Sequence, residues 1–366
     1  CKTEPGFVLH PSSGKKLPYG QLAKMAAKQP VPKDVKLKDS AAFRLIGKPV
    51  KRTDALAKAT GEAMYGMDTN VKGMLYAAVR HIPEFGGTIT AIDKKAVLKM
   101  PNVVAVEEIP NGVAVIAKDY WHAKIALEAL LVTFSPVKNG GFSSEAYLKI
   151  LKSSFEKLSV NAENIGDAVA EIKKAAKTIE AEYHVPFIAH ATMEPANCTA
   201  LVTPKKCKVW APNQGADFVA EAASKITGLS LDRIEVITPF LGGGFGRRFI
   251  LDYVVEAVTL ANKHKGKPIK VVWTREEDLQ HGHYRPMSAA KFRAGFDADG
   301  NPLALHVTTV SEGPMGRLMP GFLKDPKLDT SIFEGTVEQP YAIPNKRGDV
   351  INISAKPTPI CFWRSV

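Results

Sequence analysis

Apolar positions recur along this chain at two periods, and together they predict a mixed α+β fold. Leu251, Val254, Val255, Val258 and Ala261 recur at helical spacing, which places them on one face of a helix. Asp252 and Glu256 near its start and Lys263 and Lys265 near its end suit the helix dipole, and Gly266 stops it. Further helices are predicted at 19–27, 120–130, 144–158 and 217–226, with another opened by Asp167 as N-cap. Strand-like runs occupy 74–80, 102–106, 113–117, 131–134, 178–187, 209–214, 233–241 and 268–273. Pro110-Asn111-Gly112 joins two of them as a hairpin, and 291–312 alternates around the turn Asp297-Ala298-Asp299-Gly300.

The same pattern divides the chain. Residues 1–40 are rich in proline, lysine and glycine and read as the tail of a preceding segment. Residues 41–136, with Phe43 to Val50 opening the structured part, read as one compact α+β domain. Lys138-Asn139-Gly140-Gly141 is a linker, and 141–366 forms a second, mixed α/β domain.

Between strand 233–241 and helix 251–261 lies Leu241-Gly242-Gly243-Gly244-Phe245-Gly246-Arg247-Arg248. Glycines permit positive φ, here including Gly244, and let the backbone approach a ligand within contact distance. Free N–H groups at a helix N-terminus attract anions, and Arg247 and Arg248 would add charge and fork-shaped donors. The turn therefore predicts a phosphate or pyrophosphate guest. The alternative is a turn whose glycines only let strand and helix pack closely. The stretch lacks the lysine of a nucleotide P-loop, and Arg247 stands where a dinucleotide fingerprint has its third glycine. A Rossmann-type nicotinamide oxidoreductase stays open, because Glu276 follows the next strand where a ribose-binding acid could sit.

Composition narrows the classes. The chain has 366 residues with 45% hydrophobic content, enough for two or three domains. Its net charge of +12 favours anionic ligands or an acidic partner, but the lysines are scattered without interleaved aromatics, which argues against nucleic acid. No apolar run is long enough for a transmembrane segment. Cys1, Cys198, Cys207 and Cys361 form no C-x-x-C pair, which argues against a disulfide scaffold or an all-cysteine metal site. His281 and His283 share a strand face, yet no third ligand stands near them, so no metal ligand is assigned. His81 and His122 read as surface or packing residues. His190-Ala-Thr-Met-Glu-Pro-Ala-Asn-Cys198 holds too many polar groups for simple core. It is either a functional loop or one whose side chains satisfy local backbone.

Taken in order, RLIGKPVKRTDALAKATGEAMYGMD, HATMEPANCTA, VWAPNQ, LGGGFGRR, VVWTREEDLQHGHYRP and FWR resemble the molybdopterin-binding large subunit of the xanthine dehydrogenase and aldehyde oxidoreductase family. The isoquinoline 1-oxidoreductase beta-subunit type is the most similar branch. The resemblance implies a small α/β hammerhead domain followed by part of a mixed α/β molybdenum-cofactor-binding domain. It implies molybdopterin with molybdenum, in the cytosine dinucleotide form, and hydroxylation of N-heterocycles or aldehydes with water-derived oxygen. Electrons would pass to iron–sulfur clusters on a small partner subunit and on to an acceptor such as cytochrome c, in the periplasm or cytoplasm of a bacterium. Gln214 matches the glutamine that hydrogen-bonds an oxygen ligand of the metal. Phe245 and Gly246 match the pair whose backbone lies beside it. Gly242, Gly243, Gly244, Arg247 and Arg248 complete the cofactor-binding turn, and Arg364 matches the arginine near substrate and cofactor.

Phe249 stands where the xanthine-oxidising branch has an acidic residue, which argues against purines. The family's general base is a glutamate of a later segment, and Glu62 does not carry that role. With Cys1 at its start, the chain reads as an internal fragment that is inactive alone. A non-catalytic assembly or binding module on the same scaffold is the alternative.

Overall fold

A computed structural model describes residues 1–137, 142–325 and 327–363. The expected linker at 138–141 and Arg364 lie outside the described residues. Two compact units are present, Cys1–Glu62 and Ala63–Val366.

In the first unit, strands Lys2–Glu4, Phe7–His10 and Lys15–Pro18 form an antiparallel sheet, followed by helix Tyr19–Ala26. Strands of three or four residues are too short to show a period, so only the helix was legible in sequence. Residues 43–50, expected to open the structured part, carry neither strand nor helix, and no residue of this unit is buried.

The second unit is built on two sheets. The larger orders its strands Ile234–Ile237, Cys207–Trp210, Asn197–Val202, Ile269–Val272, Leu75–His81, Gly112–Ala117 and Val103–Ile109. It therefore takes strands from both sides of residue 136. Its strands are apolar runs because both faces are covered: all six residues of Gly112–Ala117 are buried. Tyr253, Val254, Ala257, Val258 and Leu260 of helix Asp252–Lys263 and Val219 and Ala223 of helix Ala216–Thr227 share one core with Cys198, Val209 and Val271. Ala123, Ala126 and Leu127 of helix Tyr120–Ala129 pack with Val113 and Val115 in a separate core.

The smaller sheet orders Lys177–Val185, Ser288–Phe296, Pro302–Ser311, Asn345–Asn352 and Val160–Ile165. Asp167 caps helix Ala168–Lys174 as predicted, its Oδ1 accepting from Ala170 N at 3.0 Å. The helix expected over 144–158 ends at Ser153. Ser153 and Ser154 turn their hydroxyls back to Ile150 O, a local bond that competes with helix propagation.

The larger sheet sets aside the Rossmann reading. Strand Ile234–Ile237 lies at the sheet edge and pairs in parallel only with Cys207–Trp210. The chain then returns through helix Asp252–Lys263 to Ile269–Val272, with two strands lying between it and Ile234–Ile237, and that strand runs antiparallel to Asn197–Val202. A dinucleotide fold needs adjacent parallel strands around its glycine turn.

Candidate cofactor-binding site

Beyond strand Ile234–Ile237 the chain stays extended to Phe240, whose N–H donates to Met64 O at 3.0 Å, and then enters the glycine turn. Glu194 and Gly242 exchange bonds there: Glu194 N–H donates to Gly242 O at 3.0 Å, and Gly242 N–H donates to the Glu194 carboxylate at 2.9 Å. Positive φ falls at Gly243 (+106°), Phe245 (+56°) and Gly246 (+102°). Gly244, where the turn could have called for it, does not have it. For a phenylalanine the left-handed region is costly and marks a position held by its surroundings.

The space that side chains would fill at these glycines is already taken by protein. A Cβ would lie 2.3 Å from Glu194 Cβ at Gly242, 3.2 Å from Thr192 Cβ at Gly243, 2.7 Å from Gln214 Oε1 at Gly244 and 1.9 Å from Phe362 O at Gly246. Close packing thus accounts for the absent side chains. What it leaves open is the backbone. Among the described residues, the N–H groups of Gly243, Gly244 and Phe245 donate to no acceptor. Successive unpaired amides in such a turn make an anion-binding concavity.

Gln214 closes this turn from the loop between strand Cys207–Trp210, which stops short of the expected 209–214, and helix Ala216–Thr227. Its Oε1 accepts from Gly246 N (3.0 Å) and Arg248 N (3.2 Å), and its own N–H donates to Arg248 O (3.1 Å). Two backbone donors fix which end of the amide is oxygen. The amide NH2 makes no hydrogen bond within the described residues, and the residue is exposed.

The arginines do something other than the sequence suggested. A short 3-10 turn, Arg247–Phe249, separates the glycines from helix Asp252–Lys263, so the helix N-terminus does not follow the turn directly. Arg247 is buried in a bidentate pair with Asp252 (3.0 and 2.8 Å), its guanidinium 5.3 Å from the Trp273 ring centroid. Burial opposes its charge, but Asp252 outweighs that and raises its pKa. Arg248 is fully buried and donates to Glu194 O and Pro195 O, with its guanidinium over Tyr253. Asp252 engages the Arg247 fork, whereas Arg248 bonds protein through Nη2 alone, its Nε and Nη1 buried without a partner among the described residues.

One wall of the site is aromatic. Phe249 meets Phe218 edge-on at 5.3 Å and Phe362 at 5.6 Å. Phe362 O also accepts from His190 Nε2 at 2.7 Å, and His190 has its pKa lowered, chiefly by burial. Burial pushes the neighbouring Cys361 thiol up to about 12. Sequence reasoning missed Glu194, Phe218 and Phe362 as parts of the site. The polar density of 190–198 was the available signal for the first. Among the described residues, no three His, Cys, Asp or Glu side chains are placed to hold a metal.

The site is thus a glycine turn with unpaired amides, closed by an oriented side-chain amide, on a mixed α/β scaffold. Residues 153–364 match the molybdopterin cofactor-binding domain family, and the chain belongs to it. It is 29% identical to isoquinoline 1-oxidoreductase subunit beta of Brevundimonas diminuta over 91% of this chain and 44% of that protein. It is 28% identical to a Gluconacetobacter polyoxogenes protein named membrane-bound aldehyde dehydrogenase [pyrroloquinoline-quinone], over 79% of this chain and 39% of that one. The fold is similar to quinoline 2-oxidoreductase from Pseudomonas putida 86, with a TM-score of 0.66 and 18% identity over 87% of this chain and 45% of that one. The chain thus spans less than half the length of these relatives.

Proposed function

We propose that this chain holds a molybdopterin cofactor, in its cytosine dinucleotide form, within a molybdenum hydroxylase that oxidises N-heterocycles or aldehydes. The observation that carries the reading is the row of unpaired N–H groups at Gly243, Gly244 and Phe245 beside the free amide NH2 of Gln214. These donors fit an anionic group, and the family match supplies its identity. When bound, that group supplies the redox chemistry, in which a water-derived oxygen is added to an electrophilic carbon. The chain's residues bind and orient. The turn's amides hold anionic oxygens, and Gln214 donates from a fixed direction because its oxygen is already committed to Gly246 and Arg248. Gly242 and Gly246 provide close approach, and Arg247 and Arg248 stiffen the turn from behind.

Phe249, Phe218 and Phe362 present an apolar wall where a carboxylate would recognise a purine, which favours uncharged heterocycles or aldehydes. The relatives named for isoquinoline and aldehyde oxidation support this class. Arg364, matched by resemblance, is proposed as a further contact to substrate or cofactor. We carry residues 1–40 as a preceding cofactor-domain segment, 41–136 as the hammerhead part and 141–366 as the first part of the cofactor-binding domain. Electrons leave to a small iron–sulfur subunit and then to an acceptor such as cytochrome c.

The test is the pterin and molybdenum content of the purified full-length protein, with turnover of isoquinoline, an aldehyde and xanthine. Bound pterin with oxidation of the first two supports the reading. Folded protein without pterin overturns it, and pterin without turnover of any substrate points to the non-catalytic module.

A further inference from the structure

Glu194 is a buried carboxylate that, among the described residues, pairs with no cation in direct contact. Its Oε1 accepts from Met67 N (2.9 Å) and Asn197 Nδ2 (3.0 Å), and its Oε2 accepts from Gly242 N (2.9 Å). Its main chain adds the bond to Gly242 O and accepts from Arg248 Nη2 and from Thr192 Oγ1 (2.7 Å). One residue therefore grips both ends of the glycine turn, at Gly242 and at Arg248, and ties them to the segment carrying Met67. That segment is pinned from its other side by Lys270, whose buried ammonium donates to Met67 O and Thr69 O. The missing side chain at Gly242 belongs to the same arrangement, since a Cβ there would strike Glu194.

We propose that Glu194 is the positioning residue of the cofactor turn: its carboxylate clasps Gly242 to Met67 and so sets the path of the three free amides that follow. The inference rests on the cofactor reading above for what the turn binds, but the clasp is a property of this chain alone. Electrostatics sharpens it. A carboxylate beside an anion-binding turn weakens anion binding through its charge, so it is poorly explained as a direct aid to the ligand. Its use is geometric. Three N–H donors need a group with acceptors on both oxygens and no donor, which among side chains of this length is an ionised glutamate.

Glu194→Gln keeps the shape and removes one acceptor. If the new NH2 faces Gly242, that amide loses its partner; if it faces Met67 and Asn197, Asn197 can turn its unpaired Oδ1 to meet it but Met67 N–H cannot adapt. Either way a buried donor is orphaned. Glu194→Asp keeps the charge and loses the reach.

The experiment is amide hydrogen exchange of the 366-residue chain, read alongside pterin content of the full-length protein. In both variants, exchange of the bonded amides of this stretch, those of Gly242, Gly246, Arg247 and Arg248, should rise on the order of tenfold, while helix Asp252–Lys263 and strand Ile269–Val272 keep their protection. Pterin per folded chain should fall in both. A loss in Glu194→Gln cannot come from charge, because removing a negative charge would favour an anion. Unchanged exchange at 242–248, or a rise spread evenly over the whole unit, overturns the clasp. Local opening with undiminished pterin overturns its role toward the cofactor. If the unaltered full-length protein carries no pterin, the proposed function fails and the exchange arm alone decides whether Glu194 sets the turn.

Discussion

Gly244 and Gly246 sit two residues apart in the turn, yet the structure assigns them different sensitivities. Gly246 combines φ of +102° with a Cβ position 1.9 Å from the Phe362 carbonyl oxygen, which is backbone and cannot swing aside. Gly246→Ala should cost at least about 1–3 kcal/mol from the backbone strain alone, measured by urea unfolding. Gly244 has no positive φ, and its Cβ would meet only the end of the Gln214 side chain, 2.7 Å away. Gly244→Ala should therefore cost less than Gly246→Ala, its loss limited to the hydrogen bonds that the displaced Gln214 oxygen makes to Gly246 and Arg248. Equal destabilisation by the two substitutions would contradict this ranking. Gln214 separates structure from chemistry in the same way. Gln214→Glu retains an oxygen for the Gly246 and Arg248 amides but removes the donating NH2. In the full-length protein it should leave the melting temperature almost unchanged and lower kcat by about 10²-fold, the effect of losing one oriented donor to developing charge. Wild-type kcat in Gln214→Glu would take this side chain out of the chemistry.

At the scale of elements, periodic segments were legible and pairings were not. The helix at 252–263 announced itself because its apolar residues keep helical spacing, although its burial extends beyond the predicted stripe to Tyr253, Ala257 and Leu260. Strand Asn345–Asn352 gave no such sign. Its Lys346, Arg347 and Asp349 break any apolar period, and in the structure His306 and Arg347 pair with Asp349, each at 2.8 Å. Asp252 shows the same limit at a helix start: its sequence position suggested a dipole contact, whereas its carboxylate anchors Arg247. Burial works against that carboxylate, but Arg247 and His283 outweigh it and hold its pKa well below the usual range. Asp252→Asn leaves Arg247 buried and unpaired, and should cost about 3–5 kcal/mol at pH 7. A carboxylate with a depressed folded pKa contributes stability above its unfolded pKa of about 3.9 and loses it as pH falls further. The gap between wild type and Asp252→Asn in urea unfolding should accordingly narrow below about pH 4. A gap that stays constant down to pH 2.5 would show that the pair carries no pH-dependent stability.

Across the second unit, one histidine joins elements that the sequence keeps far apart. His81 ends strand Leu75–His81 and was expected to be a surface or packing residue, since its partners lie 175 and 196 positions away. It is buried, with Nε2 2.8 Å from Glu256 of helix Asp252–Lys263 and Nδ1 2.5 Å from Glu277 of helix Arg275–Gln280. Glu256 also accepts from Trp273 Nε1 at 2.8 Å, and the His81 and Trp273 rings lie 4.3 Å apart. Burial, the largest single influence, lowers the His81 pKa, but the two glutamates together outweigh it and raise it to about 10. His281, whose own pKa burial lowers, lies 3.9 Å from Glu277 and adds no competing charge while neutral. Burial raises the Glu256 pKa, and the imidazolium is the counter-charge that opposes that rise in the core. A raised folded pKa gives stability that is fully present below the unfolded value of about 6.5 and is lost as pH rises through about 10. His81→Gln removes the charge and leaves Glu256 buried against a neutral amide, which should cost roughly 3–5 kcal/mol at pH 6. Because wild type alone loses this contribution on deprotonation, the difference between the two proteins should shrink steadily from pH 6.5 to pH 10. Urea unfolding across that range measures it, and a difference that does not change with pH would mean that His81 is neutral in the folded protein.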